Sequence, residues 1–117
     1  VEQMMPLLEK ELSELYKMYH KPVLMAEYGG DGVGGIHALP AAAYSEEYQA
    51  EIIEKTTRIL ESRSYVCGAH VWNFAEFATA QHPGRVVGNR KGVFTRDRQP
   101  KLAAHILRRI WELPRKK

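Results

Sequence analysis

An α/β fold built on parallel strands is what this sequence predicts, and three observations predict it. Apolar residues recur at three- and four-residue steps in three stretches, two short apolar runs lie between those stretches, and long loops follow both runs. The order helix, strand, helix, strand, helix calls for parallel strands joined by right-handed crossovers. Two strands neither close a barrel nor make a self-sufficient sheet. The 117 residues therefore read as one slice of something larger, with no linker or internal repeat dividing residues 1–117.

The first stretch carries Met4, Leu7, Leu8, Leu12, Leu15 and Tyr19 on one face, with Glu9, Lys10, Glu14 and Lys17 elsewhere, and predicts an amphipathic helix over 2–19. His20, Lys21 and Pro22 break it. Val23, Leu24, Met25 and Ala26 form a continuous apolar run, the pattern of a strand covered on both faces. Glycines make 29–35 a loop, and Pro40 keeps the region after it irregular. Ser45 offers an N-cap with Glu46 and Glu47 in the first turn behind it, and Tyr48, Ile52, Ile53, Ile59 and Leu60 supply the buried face of the second helix. A second strand is expected over 65–74, then a polar loop over 75–99. Pro100 is placed to open the last helix, whose stripe is Leu102, Ala103, Ile106, Leu107, Ile110 and Trp111, and Pro114 is placed to stop it.

With 44% hydrophobic and 26% charged residues, the composition is neither that of a disordered chain nor that of a membrane-embedded one. No run of about 18 apolar residues is present. The opening at Val1 suits an excised piece as well as a whole domain, and shows no leader. A single cysteine, Cys67, rules out an internal disulfide and a thiol-rich metal site, and reads as a small buried apolar residue. The net charge of +3 is mild. Its densest part lies on and after the last helix, where cations suit the carbonyl dipole, so no nucleic-acid partner is expected.

Several residues could do chemistry. Glu27 stands at the C-terminal end of the first strand, where parallel α/β folds gather catalytic groups. A carboxylate held by an arginine or facing water is the alternative. Residues 30–35 match GxGxxG, but the next helix begins about ten residues late, so its amides could not cradle a pyrophosphate as that motif requires. A mobile loop beside a pocket fits better. The five histidines have no metal-ligand spacing. His70 reads as packed or hydrogen-bonded, and His37 as the one able to reach a pocket. Trp72, at the end of the second strand, suits either a sugar platform or interior packing. Arg85, Asn89 and Lys91 put cations and an amide donor in the loop after that strand. Arginine suits bidentate carboxylate contact and lysine a point charge. Alone, they would equally fit a solvated basic loop.

Taken together, Lys21-Pro22-Val23 leading to Glu27-Tyr28-Gly29, then Ser45-Glu46-Glu47-Tyr48-Gln49, Val71-Trp72-Asn73-Phe74-Ala75 and the long segment Asn89 to Lys101 resemble the β-glucuronidases. These belong to the glycoside hydrolase family shared with β-galactosidases and β-mannosidases. The resemblance runs from about Lys21 to Trp111. It implies a (β/α)8 barrel, of which this chain would be the C-terminal slice: helix 6, strand 7, helix 7, strand 8 and helix 8, with the N-terminal half of the barrel and any preceding domains absent.

The resemblance also implies roles. Glu27 would be the nucleophile. Asn89 and Lys91, as Asn-x-Lys, would bind the C6 carboxylate of the substrate, with Arg85 in support and Trp72 lining the sugar site. The expected reaction is retaining hydrolysis of β-D-glucuronides without cofactor or metal, and with neither nucleic acid nor membrane as partner. The parent would be a homo-oligomer, tetrameric by resemblance, and cytoplasmic if bacterial. Two departures stand out: Ala69 replaces a glutamate common in relatives, and the acid/base glutamate is expected upstream of this chain. Glu76, Glu46 and Glu47 are wrongly placed to replace it, so the piece alone is expected to be inactive. The alternatives are a related uronidase such as a β-galacturonidase, or a non-catalytic module that binds sugar acids.

Overall fold

The computed structural model of the chain describes residues 1–83, 85 and 88–112. The elements run α1 (Met4–Tyr19), β1 (Val23–Tyr28), α2 (Glu46–Ser62), β2 (Val66–Val71) and α3 (Leu102–Glu112). This is the expected order: α1 starts two residues later than expected and ends at Tyr19 as expected, β1 runs two residues past the apolar run, and β2 is shorter at both ends. The two strands are adjacent and parallel, with Val23 paired to Val66 and Tyr28 to Val71. The right number of elements in the right order thus comes from periodicity, while boundaries come from local hydrogen bonds that periodicity does not report.

Three helix ends have a visible cause. His20 closes α1 in the left-handed conformation (φ 50°), and its N–H donates to the Tyr16 carbonyl. Ser45 caps α2 as expected: its Oγ accepts the Tyr48 N–H at 3.2 Å, and Glu46 and Glu47 occupy the first turn. Pro100 does not open the last helix. It bridges Phe94 in the preceding loop, and α3 begins at Leu102, whose N–H donates to Glu46 Oε2 at 2.7 Å. Pro114 lies outside the described residues.

The core lies between α2 and α3. Ala50 and Ile53 meet Ala103, Ile106, Leu107 and Ile110, with Val93 from the long loop joining them. Of the stripe expected on the last helix, only Trp111 departs: it is exposed. The strands are covered on one face only. Val23, Met25 and Tyr28 are partly buried toward the helices, and Leu24, Ala26 and Glu27 are exposed. Expected burial of Cys67 and packing of His70 fail for the same reason. Both side chains are exposed on β2, and the Cys67 thiol donates to the Val23 carbonyl. Most of the α1 stripe is likewise exposed, Leu12 being buried while Leu7 is 64% exposed. Among the described residues no helix is long and apolar enough to cross a membrane.

Candidate active site

Parallel pairing puts the C-terminal ends of β1 and β2 side by side. Glu27 is the penultimate residue of β1 and is exposed. Its neighbour Tyr28 accepts the Trp72 N–H at 2.7 Å, so the strand pairing continues to the first residue past β2. The Tyr28 side chain turns the other way, into the helix layer, where its hydroxyl bonds Thr57 Oγ1 at 2.7 Å. Burial pushes its ionisation up from the usual tyrosine range, the Thr57 bond opposing. Gly29 follows, and a Cβ there would lie 2.3 Å from the Trp72 carbonyl oxygen. Trp72 itself is 41% exposed, meets Phe77 edge to face, and is joined to Asn73 by a cis peptide.

The loop after β2 folds back to this same end. Asn73 N–H donates to the Lys91 carbonyl and Val93 N–H to the Asn73 carbonyl, which lays residues 91–93 along the first residues past the strand. Asn89 is buried. Its Oδ1 accepts the Lys91 N–H at 2.9 Å, which links the two members of the Asn-x-Lys pattern. The Lys91 ammonium is 2.8 Å from Asp31 Oδ2 in the glycine loop. The structure therefore brings Glu27, Trp72, Asn89 and Lys91 to one end of the sheet. Arg85 sits apart, exposed in a turn closed by its own N–H to the His82 carbonyl, and makes no hydrogen bond to Glu27, Asn89 or Lys91.

Beneath these residues lies a buried polar cluster that the sequence reading missed. The Lys101 side chain is fully buried, and its three N–H donors meet the Gly32 carbonyl (2.5 Å), Glu76 Oε1 (2.9 Å) and the Arg90 carbonyl (3.1 Å). Loss of solvent pulls its ionisation below the ordinary lysine range, and Glu76 opposes that pull. Glu76 takes Arg90 on its other oxygen at 2.7 Å. One signal could have flagged Lys101: a cation at the N-terminal end of a helix faces the wrong pole of the dipole, and so needs a partner of its own.

Three amides of the glycine loop, and that of Ile36 just after it, are committed. Gly32 N–H goes to Arg90, Val33 to Tyr44, Gly35 to Glu46 and Ile36 to Val33, while the Gly30 and Gly32 carbonyls face donors. That is the reverse of a phosphate cradle. His37 does not turn toward the site: the exposed ring puts Nδ1 2.7 Å from Glu47 Oε1 in the first turn of α2. Among the described residues no group of three or more His, Cys, Asp or Glu is placed to hold a metal ion.

Glu27, a strand-end indole and an asparagine–lysine pair thus lie at one end of parallel strands, the end where α/β barrels gather the groups of their ligand pockets. Residues 1–114 match the glycosyl hydrolases family 2 TIM barrel domain, and the chain belongs to that family. It is similar to the β-glucuronidase of Rattus norvegicus, 49% identical over 109 residues that make up 91% of this chain and 17% of the relative. The β-glucuronidase of Paenibacillus borealis is 48% identical over 88% of this chain and 17% of its own length. Among solved structures, the β-D-glucuronidase of Dictyoglomus thermophilum superposes with a TM-score of 0.89 at 46% identity, over 95% of this chain and 19% of that one. A β-glucuronidase of Ruminococcus gnavus in complex with an N1-substituted uronic isofagomine superposes at 0.87 and 43% identity, over 95% of this chain and 20% of that one. The chain thus spans about a fifth of the length of the relatives it matches.

Proposed function

We propose that the chain is the C-terminal slice of a (β/α)8 barrel, from helix 6 to helix 8, in a retaining β-glucuronidase. In this reading β1 and β2 are barrel strands seven and eight, and residues 1–117 are a partial catalytic domain. The observation that carries it is the placement of Glu27 and Lys91 at the same end of the parallel pair, with the Lys91 ammonium already engaged by a carboxylate at 2.8 Å. A cation at that end suits the C6 carboxylate of a uronic acid, which can share it with Asp31, whereas a neutral sugar brings no charge to meet it. The uronic isofagomine bound by the Ruminococcus gnavus relative supports a sugar-acid ligand. The names of the relatives favour glucuronide over galacturonide.

The mechanism follows from the geometry of retention. A carboxylate attacks the anomeric carbon to form a glycosyl ester, and a second carboxyl group, about 5–5.5 Å away, protonates the leaving oxygen and later activates water. Glu27 is the attacker. Glu76 cannot be the second group, because both its oxygens are bound by cations, one by the buried Lys101 and the other by Arg90. Glu46 cannot either: its oxygens hold the Gly35 and Leu102 amides. In this reading the acid/base residue belongs to a part of the parent outside these residues, as the resemblance implies, and the 117-residue piece alone is inactive. Asn89 and Lys91 fix the sugar acid, Trp72 offers it an exposed ring, and Arg85 is the supporting cation of the same loop. The full-length protein treated with a 2-deoxy-2-fluoro glucuronide tests the reading. The trapped ester belongs on the peptide carrying Glu27, and an ester on any other carboxylate refutes the assignment.

A further inference from the structure

Two buried side chains converge on the backbone that carries Asp31 and Lys91, and neither has a part in the chemistry above. Gln49, on α2, is 0% exposed, and its Nε2 lies 3.0 Å from the Gly30 carbonyl and 3.1 Å from those of Lys91 and Gly92. Two N–H bonds are thus shared among three carbonyls. Lys101, just before α3, reaches the Gly32 and Arg90 carbonyls from its own position. Both side chains span the same two segments, 30–32 and 90–92. Asp31 lies between the two stapled glycines, Lys91 lies between Arg90 and Gly92, and the two side chains meet at 2.8 Å.

We propose that Gln49 and Lys101 are positioning residues for Lys91, holding the glycine loop and the Asn-x-Lys segment in one register so that the ammonium is aimed before a sugar acid arrives. The inference rests on the reading of Lys91 as the group that meets the uronate carboxylate. A lysine side chain has a flexible four-carbon stem, so its aim depends on how firmly its backbone is held. Apart from these staples and the Asp31–Lys91 ion pair, the two segments are joined among the described residues by one backbone bond, Gly32 N–H to the Arg90 carbonyl. Packing alone gives no reason for an ammonium at Lys101. A buried ion pair is commonly replaced by apolar side chains of similar volume without loss of stability. What an apolar side chain at 101 alone would lose is the tie between the two segments, together with one of the two cations on Glu76. The glycines agree: a Cβ at Gly32 would lie 2.7 Å from the Gln49 Cβ, and one at Gly92 2.3 Å from the Glu76 nitrogen.

The test uses the full-length protein with Lys101→Met, which keeps the stem and removes the donors, and Gln49→Asn, which keeps the amide and shortens its reach. Each is assayed on a glucuronide and a glucoside bearing the same leaving group. Selectivity for the glucuronide, as a ratio of kcat/KM values, should fall about 10- to 100-fold, the scale of a misplacement near 1 Å. The loss should be carried by KM for the glucuronide, while glucoside kinetics stay within about twofold of the parent. Equal losses on both sugars, or an unchanged ratio, overturn the proposal. If Lys101→Met fails to fold, Gln49→Asn decides by the same ratio. Lys91→Ala, run alongside, separates the two ideas. Its failure to discriminate between the sugars refutes the carboxylate-reading role and this proposal with it. Discrimination by Lys91→Ala without any in the other two variants refutes only the positioning.

Discussion

Gly29 and Trp72 approach so closely that no side chain fits between them: a Cβ on Gly29 would lie 2.3 Å from the Trp72 carbonyl oxygen. The contact is with backbone, so no rotamer change relieves it. It also ties the residue two past Glu27 to the end of β2. Gly29→Ala should therefore force the strand ends apart, at about 1–3 kcal/mol of stability by analogy with overpacked interiors. Displacing the Glu27 carboxylate by an ångström should lower kcat about 100-fold. Thermal unfolding and steady-state kinetics on the full-length protein check both. Unchanged kcat with lowered stability would show that the contact is structural only.

Glu27→Gln keeps size and hydrogen bonding but removes the attacking charge, so kcat should fall by several orders of magnitude while a glucuronide still binds. Near-normal turnover would sink the nucleophile assignment.

Lys91→Ala should act on binding instead. Truncating one partner of a desolvated charge pair costs about 2 kcal/mol or more, roughly 30-fold in affinity. The loss should fall on the glucuronide and spare the matched glucoside. Isothermal titration with glucuronate gives the same comparison without turnover.

What the sequence could tell about these residues depends on the range of the interaction. Ser45 was legible as a cap because it answers to an amide three residues on. The parallel pair was legible because helices of the right length separate two apolar runs. Asn89 and Lys91 were legible only through resemblance, their composition alone fitting a solvated loop as well. Lys101 and Gln49 were not singled out, since their partners lie 11 to 69 and 19 to 43 residues away in irregular segments, and no periodicity encodes such contacts. Cys67, His70 and Trp111 were misread in one direction, toward burial. The reading assumed a complete surrounding fold, and these described residues leave one sheet face and the outer side of α3 uncovered.

The His37–Glu47 pair should make stability depend on pH within a narrow window. The hydrogen bond to Glu47 raises the His37 ionisation above its ordinary 6.5. Glu47 is lowered below 4.5, first by the Ala38 N–H and then by His37. A raised histidine contributes fully below 6.5 and loses its contribution as pH rises through the folded value. A lowered carboxylate contributes above 4.5 and loses it as pH falls through the folded value. Both act together between those limits. The melting-temperature gap between the parent and His37→Gln should be widest there and shrink on either side. A gap that does not change with pH would assign the pair no electrostatic part.

Exposed apolar faces give a prediction with opposite signs in two settings. Leu7 and Met18 on α1 are 64% and 67% exposed, and Leu24 on the uncovered sheet face is 53% exposed. A two-stranded sheet with one bare face and two unpaired edges offers surfaces for other chains to pair with. If the rest of a barrel covers them in the parent, the 117 residues expressed alone should associate, as sedimentation and light scattering would show. Leu24→Glu should make the isolated piece more soluble, because it charges a face that is wet there. In the full-length protein the same change would bury an unpaired carboxylate, at a cost of several kcal/mol. Its melting temperature should fall accordingly. A sharp, monomeric two-state transition in the isolated chain, together with an unaltered melting temperature for Leu24→Glu in the parent, would mean that the face is solvated in both. The reading of these residues as a barrel slice would then fail.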